Sequence, residues 1–266
     1  MIHTVNTGLL EYLIAKNLTA PHCFTTRFGG VSEGYLESLN IGTHRGDAPE
    51  NVIANFKILA DAVGFSPEKL VLTKQKHTDI VLKVGKAQQG AGLFAPELDA
   101  CDGLITNEPG VGLVVFSADC TPILLEDPVT GAVGAVHAGW RGTAAAIAGK
   151  AVDAMVESYG CRRENIRAAI GPNIGMCCFQ TDEDVPQVMY TRFGKAVEPF
   201  IRAEKNKYYV NLKELNALVL RQAGVEQIAV SKACTACEPH RFWSHRVVGD
   251  NRGSQGAIIV CKEVAK

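Results

Sequence analysis

The sequence predicts a mixed α/β (α+β) protein, with mixed β-sheets and packed helices in a single domain over residues 1–266. Three observations predict it. Short β-branched runs recur along the chain, helical apolar periods fall between some of them, and several runs lack polar alternation. Strands without alternation are covered on both faces. The irregular order of strands and helices argues against a regular doubly wound sheet. A barrel or a pair of subdomains is the competing architecture, although no repeat or linker divides the chain.

The elements follow in order. Val52, Ile53, Phe56, Leu59, Ala60 and Val63 share a helical face, Pro49 and Glu50 suit its first turn, and Gly64 suits its C-cap. A strand is expected at 80–84, a second at 111–117, and a pair at 123–126 and 132–137. A helix over 143–158 buries Ile147, Ala148, Ala151, Val152, Met155 and Val156, with Thr143 as its cap. A strand at 166–170 precedes a helix capped by Asn211, which buries Leu212, Leu215, Leu218 and Val219 and ends at Gly224. Strands at 228–231 and 257–261 complete the reading.

Composition narrows the function. Hydrophobic residues are 47% and charged residues 21%, and 27 Lys+Arg against 28 Asp+Glu leave a net charge of −1. That balance argues against disorder and against nucleic acid or a membrane surface as partner. No apolar run reaches the roughly 18 residues of a membrane span. The opening residues lack the pattern of a secretory leader. Nine cysteines, an odd number, cannot all pair within one chain. The expected setting is cytoplasmic and reducing, with most cysteines serving as small buried hydrophobes. The sequence sets no oligomeric state.

One cysteine stands apart. The runs 123–126 and 132–137 flank the turn-rich Asp127-Pro128-Val129-Thr130-Gly131. Pairing Asp127 with Thr130 puts Glu126 opposite Gly131 and, continuing outward, Cys120 opposite His137. Directly opposed side chains share a face with Cβ atoms about 5 Å apart. Pro122 interrupts this ladder, and a one-residue slip separates the two faces. A buried cysteine beside a satisfied histidine is the structural alternative. After His137, Ala138-Gly139-Trp140-Arg141-Gly142-Thr143 leads from strand to helix, where free N–H groups and Arg141 favour an anion.

Four ordered blocks carry a family resemblance. The first runs Thr26-Arg27-Phe28-Gly29-Gly30-Val31-Ser32 and on from Ser38-Leu39-Asn40-Ile41-Gly42 through Thr43-His44-Arg45-Gly46-Asp47. The second is Gln75-Lys76-His77. The third joins Ala118-Asp119-Cys120-Thr121-Pro122 to His137-Ala138-Gly139-Trp140-Arg141-Gly142. The fourth comprises Ile170-Gly171-Pro172, Cys177-Cys178, Cys234-Thr235-Ala236-Cys237 and Phe242-Trp243-Ser244-His245-Arg246. Across about residues 20 to 262 the chain resembles the YfiH/PgeF family, also called peptidoglycan editing factor, laccase-domain or polyphenol oxidase family. Thr78 stands where the family usually has Gly, and His245 where it usually has Tyr.

The resemblance implies a zinc ion held by His77, Cys120 and His137, with copper as the alternative ion. Thiolate and imidazole suit zinc, and three protein ligands leave a position open. It also implies action on purine nucleosides: phosphorolysis of adenosine, inosine and methylthioadenosine with inorganic phosphate, and deamination of adenosine. Arg27, Arg45, Arg141 and Arg246 are the cations expected to meet phosphate. Asn40, His44 and Asp47 are assigned to substrate, with His44 or Asp47 contacting ribose or moving a proton. Each of those arginines serves equally well in a structural ion pair. No Glu follows the H-x-E pattern of nucleobase deaminases, so Asp119 is the nearest candidate acid or base.

Two other chemistries compete. Seven histidines without an H-x-H pair weigh against a four-copper oxidase, though one copper suits a Cys/His site. Alternatively, Cys120 activated by His137 makes a cysteine hydrolase for cell-wall precursor editing, with the 139–143 turn as oxyanion hole. Cys234-x-x-Cys237 has no second C-x-x-C, and Cys177-Cys178 lacks the usual spacing. Packing near the site is therefore the expectation for those four, with a reversible disulfide as the alternative. Phe242 and Trp243 are expected to be a buried aromatic pair rather than a purine stack.

Overall fold

A computed structural model describes residues 1–262. It begins with β1 (Ile2–Thr7), β2 (Leu10–Ala15) and β3 (His22–Thr25), followed by α1 (Pro49–Val63), β4 (Leu70–Leu72) and β5 (Val81–Lys83). Next come β6 (Gly103–Thr106), β7 (Gly112–Ser117), β8 (Thr121–Glu126) and β9 (Val133–Ala138). Then follow α2 (Trp140–Ala144), α3 (Ile147–Tyr159), β10 (Arg167–Ile170), β11 (Gln180–Thr181) and α4 (Asp184–Phe193). The chain continues with β12 (Ile201–Glu204), β13 (Lys207–Val210), α5 (Leu212–Gln222), β14 (Gln227–Val230), α6 (His245–Val248) and β15 (Gln255–Val260). No helix among the described residues is long and apolar enough to cross a membrane.

Two six-stranded mixed sheets form the frame, in the orders β1-β2-β3-β15-β7-β4 and β14-β10-β8-β9-β6-β5. A three-stranded antiparallel sheet, β11-β13-β12, stands beside them. The two large sheets share a core. Phe24, Leu113, Val115 and Ile259 of the first meet Leu124, Ala135 and Ala169 of the second. The alternate residues face outward and are covered too. Val114 and Ile258 pack with Phe56 and Leu59 of α1, while Ile123, Leu125 and Val136 pack with Val152, Met155 and Leu220 of α3 and α5. This four-layer arrangement explains the missing polar alternation, because the central strands of each sheet, such as β8, β9 and β15, are buried on both faces. Complete burial of one such side chain, Phe56 for example, contributes about 1.5–3 kcal/mol.

Local expectations meet the structure unevenly. The first helix starts at Pro49 and ends on Gly64 in the left-handed conformation (φ 86°). Asn211 caps α5, its Oδ1 accepting the Glu214 amide at 3.4 Å. The helix expected over 143–158 instead starts at Trp140 and breaks, with Ala146 left-handed (φ 57°), before α3. Thr143 is no cap: its amide donates to the Gly139 carbonyl inside α2, and its hydroxyl accepts from Asn216 Nδ2. The reading from sequence lacks β1–β4, β6, α4, α6 and the small sheet. Several of these strands are only two to four residues long, below what a period-2 pattern reveals.

The β8–β9 hairpin corrects the predicted register. Glu126 pairs with Val133, and Pro122 pairs with His137. The loop is longer than expected because Asp127 organises it: its Oδ1 accepts the Val129 amide at 2.8 Å and its carbonyl accepts the Gly131 amide at 2.8 Å. Asp127 then faces Ala132, not Thr130. This is a shift of two positions, so the alternation of faces is preserved. Cys120 lies one residue outside β8, in the turn that follows β7.

Candidate active site

Strand ends bring the three predicted donors together. His137 lies near the end of β9, Cys120 immediately precedes β8, and His77 sits in the loop after β4. Their donor atoms all lie within 4.8 Å of one another, with Cys120 Sγ 3.8 Å from His77 Nε2. The two imidazole rings meet edge to face, with centroids 5.1 Å apart. Backbone strain surrounds the cluster: His77 and Asp119 have φ values of 57° and 89°, a region non-glycine residues rarely adopt. Gly139 makes room, since a Cβ there would stand 2.8 Å from His77 Cδ2 and 3.2 Å from Cys120 Sγ.

Asp102 organises these donors and was not singled out from sequence. Fully buried before β6, it accepts the His137 ring N–H through Oδ1 at 2.8 Å. The same oxygen accepts the His77 amide at 3.1 Å, and Oδ2 accepts the Thr78 amide and hydroxyl at 2.7 and 2.8 Å. Burial opposes ionisation of Asp102, but these hydrogen bonds and the facing His137 hold it at about 2. An ionised carboxylate only accepts, so His137 carries its proton on Nδ1 and turns Nε2 toward Cys120. Burial raises the Cys120 thiol, yet His137 and His77 together hold it down at about 6. Burial disfavours the His137 imidazolium, while Cys120 and Asp102 raise it to about 9. A sulfur and two nitrogens at these separations, with one imidazole fixed by a carboxylate, fit a zinc-type ion.

A cavity of about 390 Å³ opens onto Cys120 and His77, a volume suited to a small organic ligand. Ile174, Phe179, Leu212 and Trp140 give it apolar walls, while Arg45, Arg246 and Arg252 give it positive charge. Arg252 is another residue missed from sequence, where it stands in an unremarkable Asn-Arg-Gly turn before β15. Its Nε is buried without a hydrogen-bond partner among the described residues. Burial, and then the neighbouring Arg45, push its guanidinium below the ordinary value. Arg246 is anchored along one edge, donating to the carbonyls of Cys178 at 2.9 Å and Gln180 at 3.1 Å.

The other predicted residues lie elsewhere or are already engaged. Asp119 lines the cavity, but its carboxylate accepts the Thr235 hydroxyl at 2.6 Å and the Arg246 amide at 2.7 Å. It fixes the cavity wall. Arg27 is outside the cavity: it donates to the carbonyls of Glu37 and Pro239 and lies 3.8 Å over the Trp243 ring. Trp243 and Phe242 are buried, as expected of packing residues. Asn40 and Asp47 bond each other at 2.8 Å within a network that includes Ser32, Asn51 and the Ser254 amide. Arg141 is exposed over its neighbour Trp140, at the start of the five-residue α2, and does not line the main cavity. His44 pairs with Glu97 in an adjacent cleft that also contains Lys74 and meets the main cavity at Arg45.

Four further cysteines, expected to pack near the site, converge on one another beside it. Sγ atoms of Cys177, Cys178, Cys234 and Cys237 lie within 4.8 Å of one another, beside the Phe179–Arg246 wall. Adjacent cysteines on one loop face the C-x-x-C of another, a juxtaposition that spacing along the chain does not reveal.

Residues 21–262 match the family described as multi-copper polyphenol oxidoreductase laccase. The chain is 37% identical over 244 residues to purine nucleoside phosphorylase YlmD of Bacillus subtilis, covering 90% of this chain and 88% of that protein. It is 34% identical over 251 residues to purine nucleoside phosphorylase LACC1 of Homo sapiens, covering 91% of this chain and 56% of the human protein. The crystal structure of YlmD from Geobacillus stearothermophilus aligns with a TM-score of 0.88 at 36% identity, covering 98% of this chain and 99% of that one. Sequence and fold agree along nearly the whole chain, and the protein belongs to the multi-copper polyphenol oxidoreductase laccase family that includes YlmD and YfiH.

Proposed function

We propose that the chain is a zinc-dependent purine nucleoside phosphorylase accepting adenosine, inosine and methylthioadenosine, with adenosine deamination as a second activity. One observation carries this reading. A single cavity joins His77 and Cys120, behind which His137 is buried within 4.8 Å, to Arg45, Arg246 and Arg252, in a chain whose relatives are named purine nucleoside phosphorylases. When bound, a zinc ion supplies a Lewis acid with an open position. Copper, the alternative ion, would meet only two histidines in this donor set.

The chain's own residues do the rest. Arg45 and Arg252 hold the phosphate dianion, and Arg246 flanks it from its carbonyl anchor. Phe179, Trp140 and Ile174 exclude water from one side of the base. In phosphorolysis a phosphate oxygen bonds to the ribose C1′ as the C1′–N bond breaks, and the departing base takes a proton. His245, which lines the cavity, is our candidate to exchange that proton. Asp119 positions the wall through Thr235 and the Arg246 amide.

Incubating the purified protein with adenosine, with and without phosphate, tests the proposal. Phosphate-dependent adenine with ribose 1-phosphate is the expected product, and phosphate-independent inosine reports deamination. No product at high enzyme concentration ends the phosphorylase reading. A cysteine hydrolase is the second reading, favoured by the lowered Cys120 thiol beside His137. Activity that survives complete metal removal supports that alternative.

A further inference from the structure

Four cysteines outside the proposed reaction converge at the edge of the cavity. Two tight turns present them. The Cys178 and Phe179 amides donate to the Gly175 carbonyl, and the Cys237 and Glu238 amides donate to the Cys234 carbonyl. Bonds between the turns hold them in register: Thr235 N–H donates to the Asn173 carbonyl at 3.1 Å, and Gly175 N–H donates to Cys234 Sγ at 3.1 Å. Cys237 Sγ then lies 3.5 Å from Cys177 Sγ and 3.4 Å from Cys178 Sγ. We propose that Cys177, Cys178, Cys234 and Cys237 form a second metal centre, a tetrathiolate site for a soft divalent cation of the zinc class.

Three physical arguments support this assignment. Sulfurs placed around a tetrahedral zinc at about 2.3 Å are about 3.8 Å apart, close to the separations here. Cysteines that merely fill a core are buried, whereas Cys177 and Cys237 are exposed while their sulfurs converge. Gly175 leaves the sulfurs room, since a Cβ there would lie 3.1 Å from Cys177 Sγ and 3.3 Å from Cys234 Sγ. Charge is compensated as well. Four thiolates around a divalent ion carry a net negative charge, and the buried Lys213 stands by them, its Nζ donating to the carbonyls of Ser231 and Ala233. Burial lowers the Lys213 ammonium, while attraction to Cys234 and Cys177 opposes that shift.

The centre fastens two turns that otherwise share few bonds. Binding converts four thiols to thiolates and releases their protons to solvent. One turn leads into Phe179 and the carbonyls that anchor Arg246, and the other carries Thr235, which holds Asp119. The ion is therefore structural, and it stiffens the cavity wall without touching the substrate.

Metal counting tests this independently of turnover. A His77→Ala/Cys120→Ala double variant, purified under reducing conditions without chelator, removes the first donor set. About one zinc per chain is expected in that variant and about two in the unsubstituted protein, with further loss on Cys237→Ser. Cobalt(II) added to the metal-free double variant gives the sulfur-to-metal charge-transfer and tetrahedral ligand-field bands of four thiolates. This readout stands even where Cys237→Ser fails to fold. A double variant that takes up neither zinc nor cobalt overturns the proposal. So does a reduced preparation in which Cys237 is found disulfide-bonded to Cys177 or Cys178.

Discussion

Asp102 holds His137 twice: its backbone carbonyl accepts the His137 amide at 2.7 Å, and its carboxylate accepts the ring Nδ1–H at 2.8 Å. Main chain and side chain of one buried residue thereby set the position and tautomer of a proposed metal ligand.

Asp102→Asn separates those roles. The amide no longer accepts at both oxygens, so zinc affinity falls by about 10- to 100-fold in chelator competition. Asp102 also marks acid stability. Its carboxyl sits at about 2 in the folded protein against an ordinary 3.8. The stabilisation is complete above about pH 4 and lost as pH falls through about 2, a contribution of about 2 kcal/mol. Denaturant melts of the two proteins across that window should differ in slope, and parallel curves would refute the linkage.

Cys120 in the metal-free protein should react as a thiolate. Its alkylation rate rises with pH through about 6, the value at which His137 and His77 hold it against burial. Cys23, near 12, and Cys101, Cys161 and Cys261, near 11, stay unmodified at neutral pH. Peptide mapping after a short iodoacetamide pulse reads this directly, and added zinc should protect Cys120. A midpoint near that of an ordinary thiol contradicts the geometry.

Arginine substitutions should divide by location. Arg252→Ala or Arg45→Ala raises the phosphate KM about tenfold or more, the equivalent of about 1.4 kcal/mol. Arg27→Ala leaves the phosphate KM unchanged and lowers Tm, because its guanidinium bonds two backbone carbonyls and stacks on Trp243. Steady-state kinetics with varied phosphate, beside thermal melts, check both halves. Equal effects of all three on KM would remove the arginine cluster from the phosphate site.

Gly139→Ala probes the first donor set sterically. The backbone there is extended (φ −69°, ψ 175°), which alanine adopts freely, but the new methyl crowds His77 and Cys120. Zinc content should fall while the fold, followed by circular dichroism, is retained. Full occupancy in this variant would show that the donors can move apart without cost.

What the sequence determined by itself was local. The period of Val52, Phe56 and Leu59 with Gly64 beyond it specified α1, and Asn211 marked the start of α5. Unalternated strands announced burial on both faces, and the hairpin turn placed Cys120 near His137 even with the register two positions out. Family blocks supplied His77 and Arg246 as candidates. The tertiary structure decided which side chains meet across segments distant in sequence. Asp102 reaches His137 because β6 pairs with β9, and Arg252 enters the cavity from the turn before β15. Cys177 meets Cys237 because two loops 60 residues apart are bonded side by side. Hydrophobic period reports which face of an element is buried. Convergence of turn residues depends on strand order and sheet stacking, which that period does not encode.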